Sequence, residues 1–206
     1  MKKLWEKDKE ELNKKVEQFD FGEVTNHPDN NLVLADVYGS LAHAKMLAKM
    51  GIFSPLELSQ AKKGLIKVID LFKAGKFNLK SGEEDIHTKI ENFLTKNYGE
   101  VGEKIHTARS RNDQVVLDTR IYTKENLIDV ALIVINLANV LTKFAKKYEL
   151  VPVAGYTHMK KAMPSSIGLW ASSFTESLMD DLKSVKHAYD LNDQSPLGSA
   201  ASYGVS

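Results

Sequence analysis

Two polar stretches of this chain carry residue types suited to handling a charged small molecule. The first is His106-Thr107-Ala108-Arg109-Ser110-Arg111-Asn112-Asp113-Gln114. The chain has 25 Lys and only three Arg, and two of those Arg fall here, two residues apart. A guanidinium grips a carboxylate through two parallel hydrogen bonds, a geometry an ammonium cannot copy. Ser110, Asn112 and the free N–H groups of a helix start would complete an anion pocket. A capped helix with a solvated charge pair uses the same residues, and this stretch alone does not separate the two readings. The second stretch is Gly155-Tyr156-Thr157-His158, following Pro152. Thr157 can hydrogen-bond a carboxylate, and His158 can move a proton near neutral pH. A surface turn with an incidental His is the competing reading. Both stretches precede a long helix, so in a bundle both can meet at one end.

The remaining polar residues exclude more than they suggest. His43 follows Ala42 in a helical stretch and reads as a packing residue. Glu84 and Asp85 suit a helix N-terminus through the dipole, which leaves His87 undecided. His27 and His187 show no supporting pattern. No metal-ligand spacing, Gly-rich phosphate loop, nucleophile elbow or dinucleotide fingerprint occurs, so neither a metal nor an organic cofactor is expected. With 28 basic and 27 acidic residues the net charge is +1, too weak a field to draw in nucleic acid or an anionic membrane. The absence of cysteine rules out a disulfide scaffold, a zinc-thiolate site, an iron–sulfur cluster and a Cys nucleophile. The charged start of the chain does not read as a signal peptide. The most apolar run, Val130 to Val140, is interrupted by Asn136 and Asn139 and reads as too short to span a bilayer. A soluble cytoplasmic protein is the expectation.

The elements that must position these residues are helical. Residues 1–20 read as a short charged helix, and Thr25 to Asn31 as a turn. Val33, Val37, Leu41, Ala44 and Ala48 form a stripe ended by Gly51. Ser54-Pro55-Leu56-Glu57 is a helix start with a capping box. Leu58, Ala61, Leu65, Ile69 and Phe72 continue that helix to Gly75. A further helix is predicted from about Glu83 to Tyr98, then a polar loop from Glu100 to Asn112. From Asp113 to Tyr148 neither Gly nor Pro occurs, which permits a helix of about 54 Å. Between Leu127 and Ala145 its apolar residues lie nearly all round, as in a helix buried within a bundle or oligomer. Val151 to Pro164 reads as a loop, followed by a long helix carrying Trp170, Phe174, Leu178 and Leu182. The boundary near Asn112 divides the chain into two domains, 1–112 and 113–206.

His106 to Gln114 closely resembles the signature loop of the argininosuccinate lyase family, and Gly155 to His158 resembles its second signature region. Asp36 to Leu47, Glu84 to His87 and Pro196 to Ser199 resemble further family segments in the same order. The Thr-His motif is shared across the fumarase/aspartase superfamily, which includes adenylosuccinate lyase. The resemblance implies an all-α fold: a small N-terminal helical domain, then the first long helices of a central bundle through which four subunits associate. It implies reversible elimination of argininosuccinate to arginine and fumarate, the last step of arginine biosynthesis. Ser110, Arg111, Asn112 and Thr157 would then hold substrate, and His158 would assist proton transfer. Thr25 stands where the family often has a substrate-binding Ser, with Asp29, His87 and Arg109 in support. No metal or cofactor is implied.

The family usually has Gly at Ala108, a mild change, and Gln at Lys160 and Met163. Its Ser-rich third loop, thought to carry the base, has no counterpart here, and in the family each site draws its loops from three subunits. The resemblance therefore implies an N-terminal portion that is inactive alone, and its all-round apolar helix predicts association into a dimer or larger. A non-enzymatic helical assembly and another superfamily lyase, such as adenylosuccinate lyase, are the alternatives.

Overall fold

The computed structural model describes residues 27–80 and 83–196. The predicted helix over residues 1–20, Thr25, and the Leu197 to Ser199 part of the last family-like segment lie outside them. After a 3-10 turn (Pro28–Leu32) come helices α1 (Val33–Lys49), α2 (Pro55–Lys73), α3 (Ile86–Tyr98), α4 (Glu100–Lys104) and α5 (Arg111–Lys147). Strands β1 (Pro152–Thr157) and β2 (Lys160–Ser166) and helix α6 (Ile167–Asn192) follow. The all-α expectation holds, with one small hairpin added.

Local chemistry sets most of the helix ends. The Ser54 hydroxyl accepts from the Glu57 N–H at 3.2 Å, and the Ser54 N–H donates to the Glu57 carboxylate at 2.8 Å, closing the predicted capping box. Gly51 (φ 76°) and Gly75 (φ 68°) take the left-handed conformation that ends α1 and α2. In each case the next N–H reaches back to the third-last helical carbonyl, Ile52 to Leu47 and Lys76 to Leu71. Two expectations need correction here. The helix predicted from Glu83 begins at Ile86, because the Asp85 carboxylate caps the Thr88 N–H at 2.7 Å. Part of the predicted loop from Glu100 is the short helix α4, whose Gly102 lies against α3 so closely that a Cβ would stand 2.2 Å from the Thr95 nitrogen.

The chain divides into two compact units, one running to Tyr122 and taking in Ser195 onward, the other Thr123–Gln194. The core of the first is Val33, Val37, Leu47, Leu65, Val68, Ile86 and Leu94, all without solvent exposure, joined by Phe53, Phe77 and Ile90. The stripes read from the sequence on α1, α2 and α3 supply most of it.

In the second unit the start of α6 meets the end of α5. Gly168 permits this, since a Cβ there would be 2.5 Å from the Glu149 Cα. At the other end Lys124 pairs with Asp193 at 2.5 Å and lies over the Tyr189 ring. The two helices therefore run antiparallel. The segment expected to be a loop from Val151 to Pro164 is instead an antiparallel hairpin, with Pro152 opposite Ser166 and Thr157 opposite Lys160. Pro152 opens its strand, and a register irregularity lies between Ala154 and Tyr156, so no clean period-two pattern marks the hairpin. The outer faces of α5 and α6 are strongly apolar and uncovered: Ile133 is 68% exposed, Val140 62%, Leu169 64% and Trp170 59%. One stretch of α5 reaches a mean hydropathy of 1.8, and the helix is long enough to cross a bilayer. The length argument drawn from Val130 to Val140 is corrected accordingly.

Candidate active site

Ser110 caps α5. Its N–H donates to the Asp113 carboxylate at 2.7 Å, and the Asp113 N–H donates to the Ser110 hydroxyl at 3.3 Å. This reciprocal cap leaves the first-turn N–H groups at a positive helix end, the arrangement that favours an anion. Arg111 opens the helix. Its guanidinium donates to the Thr88 hydroxyl at 3.0 Å and reaches the Asp85 carboxylate at 3.5 Å. The N-termini of α3 and α5 are thereby brought together, with Asn112 exposed beside them. The preceding loop is pinned by His43, whose Nε2 donates to the Thr107 carbonyl at 2.9 Å. Ala108 sits at φ 60°, in the left-handed region that strains a residue bearing a Cβ. The exchange of Gly for Ala at this position is therefore more than mild.

Arg109 behaves differently from Arg111. It turns inward, donating to the Ser40 hydroxyl at 3.4 Å, beside a buried polar cluster. Asp36 of α1 is the centre of that cluster. It accepts from Ser40 at 3.0 Å, from Gln114 at 3.1 Å and from His87 Nδ1 in a short contact. Asp118 of α5 lies 3.4 Å from the same His87 nitrogen. All four of Asp36, His87, Gln114 and Asp118 are buried. Gly39 allows α5 this close, since a Cβ there would meet Leu117 at 3.0 Å and the Asp118 carboxyl at 3.4 Å.

Electrostatics assigns the protons. Burial, then the charge of Asp36, pushes the Asp118 carboxyl up to about 8, so it is largely protonated at neutral pH. Burial also acts upward on Asp36, but the His87 hydrogen bond and charge, with Arg109 and Ser40, together hold it below the usual carboxylate range. Burial acts downward on His87, and Asp36, Asp118 and Asp85 outweigh it, so the imidazole rises above its ordinary value. The cluster is thus an ionised His87–Asp36 pair with a neutral Asp118 next to it. Ligand atoms of Asp36, His87 and Asp118 lie within 4.8 Å of one another, but the protons on His87 and Asp118 make the set a hydrogen-bonded cluster and not a cation site. His87 and Arg109 already supply positive charge to it.

Thr157 and His158 belong to the second unit. Thr157 ends β1 and is exposed, as is His158. His158 (φ 47°) and Met159 (φ 67°) form the two-residue hairpin turn, both left-handed and neither Gly nor Asn. That is the backbone of a type I′ turn, occupied by residues that pay for it in strain. Asp29, in the 3-10 turn, donates its N–H to His27 Nδ1 at 3.3 Å.

Residues 7–206 match the sequence profile of a family described as lyase. The chain belongs to this lyase family. It is 41% identical over 203 residues to an argininosuccinate lyase of Thermotoga neapolitana, covering 98% of this chain and 50% of that protein. It is 42% identical over 204 residues to an argininosuccinate lyase of Bacteroides fragilis, covering 99% of this chain and 45% of that protein. The chain thus spans about half the length of the curated relatives it matches. Among solved structures it resembles an EDDS lyase variant with bound fumarate, with a TM-score of 0.72 and 25% identity over 85% of this chain and 34% of that one. A fumarate lyase:delta crystallin from Brucella melitensis shares the fold, with a TM-score of 0.67 and 16% identity over 82% of this chain and 43% of that one.

Within the lyase fold, sequence reasoning missed Asp118 and treated Asp36, Ser40 and Gln114 only as parts of family-like segments. Their signal was present. Asp36 and Ser40, and Gln114 and Asp118, are pairs four residues apart, which places each pair on one face of its helix.

Proposed function

We propose that this chain is the N-terminal part of an argininosuccinate lyase acting in the last step of arginine biosynthesis. In the reaction a base removes a proton from the carbon beside a carboxylate. The C–N bond breaks, and its electron pair leaves with the guanidino nitrogen, which gains a proton. The intermediate gathers negative charge on the carboxylate, so fixed donors act on it most strongly. Ser110, Arg111, Asn112 and the N–H groups of α5 would supply such donors; Thr157 as a further hydroxyl and His158 as the proton carrier would come from another copy of the chain, as the family resemblance implies. The observation that carries this reading is the capped start of α5, with Arg111 beside it, in a chain 41–42% identical to argininosuccinate lyases. The fumarate bound by the EDDS lyase neighbour supports a fumarate-releasing elimination.

Arg109 serves the loop from within and does not touch substrate. Thr25 and Asp29 are substrate-side residues by resemblance alone. The uncovered apolar faces of α5 and α6 support a homotetramer in which copies cover one another, in a cytoplasmic setting with no membrane and no nucleic acid. The activity is tested by joining this chain to the part of the Bacteroides fragilis relative that it does not match. Ultraviolet absorbance should show fumarate released from argininosuccinate by the joined protein, with none released by the 206 residues alone. Faster turnover of adenylosuccinate would shift the assignment to that lyase. Failure to bind either substrate in calorimetry would favour a purely structural helical assembly.

A further inference from the structure

The first-unit cluster does more than fill space between α1, α3 and α5. Ser40 connects it to Arg109, because its hydroxyl donates to Asp36 while accepting from the Arg109 guanidinium. Gln114, one turn into α5, donates to the other Asp36 oxygen at 3.1 Å. The loop from Arg109 to Asn112 is therefore gripped at both ends by one buried carboxylate. Asp118, one further turn along α5, is 1% exposed, and neither of its oxygens accepts from any donor of the fixed surroundings. A buried carboxyl without a donor is destabilising unless it carries its own proton, and it can then donate to Asp36.

From this geometry we infer that Asp118 is a positioning residue for the substrate loop: its proton completes the hydrogen bonds around Asp36, and Asp36 with Ser40 and Gln114 fixes Arg109 and the start of α5. Loss of the proton puts two carboxylates side by side. Their repulsion is relieved by drawing Arg109 from Ser40 toward Asp118, and Ser110 to Asn112 move with it. The titratable and charged groups that face Asp118 are Asp36 from α1, His87 from α3, and Arg109. Arg109 in turn is flanked by Glu91, Arg111, His43 and His106, and His87 by Asp85. The ionisation of Asp118 near pH 8 makes the device readable in solution.

The inference rests on the reading of this loop as the substrate site, but its test needs no substrate. The labelled 206-residue chain is titrated from below to above that pH by transverse-relaxation-optimised NMR. The amides of Arg109, Ser110 and Asn112 are expected to shift in one step near pH 8, together with the His87 ring. In Asp118→Asn, which mimics the neutral acid, the step disappears and the amides stay at their low-pH positions. In Ser40→Ala the His87 ring still steps, but the loop amides no longer follow it. Loop amides that stay flat in the unaltered chain, or a full step that survives in Asp118→Asn, would overturn the inference. Should Asp118→Asn fail to fold, the unaltered chain and Ser40→Ala decide the matter by themselves. Calorimetry with argininosuccinate is read separately, so absent binding with an intact step discards the site reading and keeps this one.

Discussion

The two units of this chain solve the problem of apolar surface in opposite ways. In the unit ending at Tyr122, Val33, Leu47, Leu65, Ile86 and Leu94 have no solvent exposure, and even the polar Asp36 and Asp118 are enclosed. In the unit Thr123–Gln194, residues of the same types face outward, with Ile133, Val140, Leu169 and Trp170 each more than half exposed. Composition does not separate the units. The first has three helices of 13 to 19 residues and the five-residue α4, joined by turns that fold them onto one another. The second has two longer helices meeting along small residues, which leaves their outer faces for something else to cover. One unit holds itself together, and the other is built for assembly.

The sharpest way to break that contrast is to cut into each face. Leu65→Ala should lower the stability of the first unit by about 2–5 kcal/mol, because a fully buried side chain leaves a cavity. That loss, measured by denaturant unfolding, should not depend on chain concentration. Ile133→Asp should act on association instead, lowering the mass seen by light scattering, since a charge is placed on an apolar contact. An unaltered mass in Ile133→Asp, or an unassociated parent chain, would mean that the exposed face is not an assembly face. Gly102→Ala is the next largest effect. Its added methyl meets the Thr95 backbone at 2.2 Å, which calls for a loss of about 1–3 kcal/mol by overpacking.

Between the ordinary Asp value and about pH 8, the pH effect should come from the first unit. The folded state holds the Asp118 proton up to about pH 8, whereas an unfolded Asp releases it near the ordinary value. Between those values the folded state binds more protons, so stability falls as pH rises through the window. The raised His87 adds to the fall above its ordinary value, and the lowered Asp36 costs stability only at the acid end. Thermal unfolding of Asp118→Asn should show a flatter profile across that window. The smallest effects concern strain. Ala108→Gly and Met159→Gly each relieve a left-handed residue and should raise stability by up to about 1 kcal/mol.

The same contrast explains what could be read in advance. Helical stripes such as Val33, Val37 and Ala44, and the Ser54 cap, act over a few residues and were legible. The hairpin was not, because Pro152 and the irregularity beside Gly155 erase alternation, and its turn uses His158 and Met159 where Gly or Asn would announce it. In the candidate site, the helix start at Ser110 and Arg111 was legible from residue type and spacing. The inward turn of Arg109 was not, since it depends on Asp36 and Ser40 lying about 70 residues earlier. Burial of the apolar α5 face was expected, whereas within a single chain that face is exposed.

In the proposed function, the capped start of α5 grips a substrate carboxylate. It is tested most directly by Arg111→Ala in the protein joined to the remainder of its Bacteroides fragilis relative. The account predicts a fall in kcat/KM for argininosuccinate of about 100-fold or more, with the unfolding temperature little changed. An unaltered kcat/KM would contradict it.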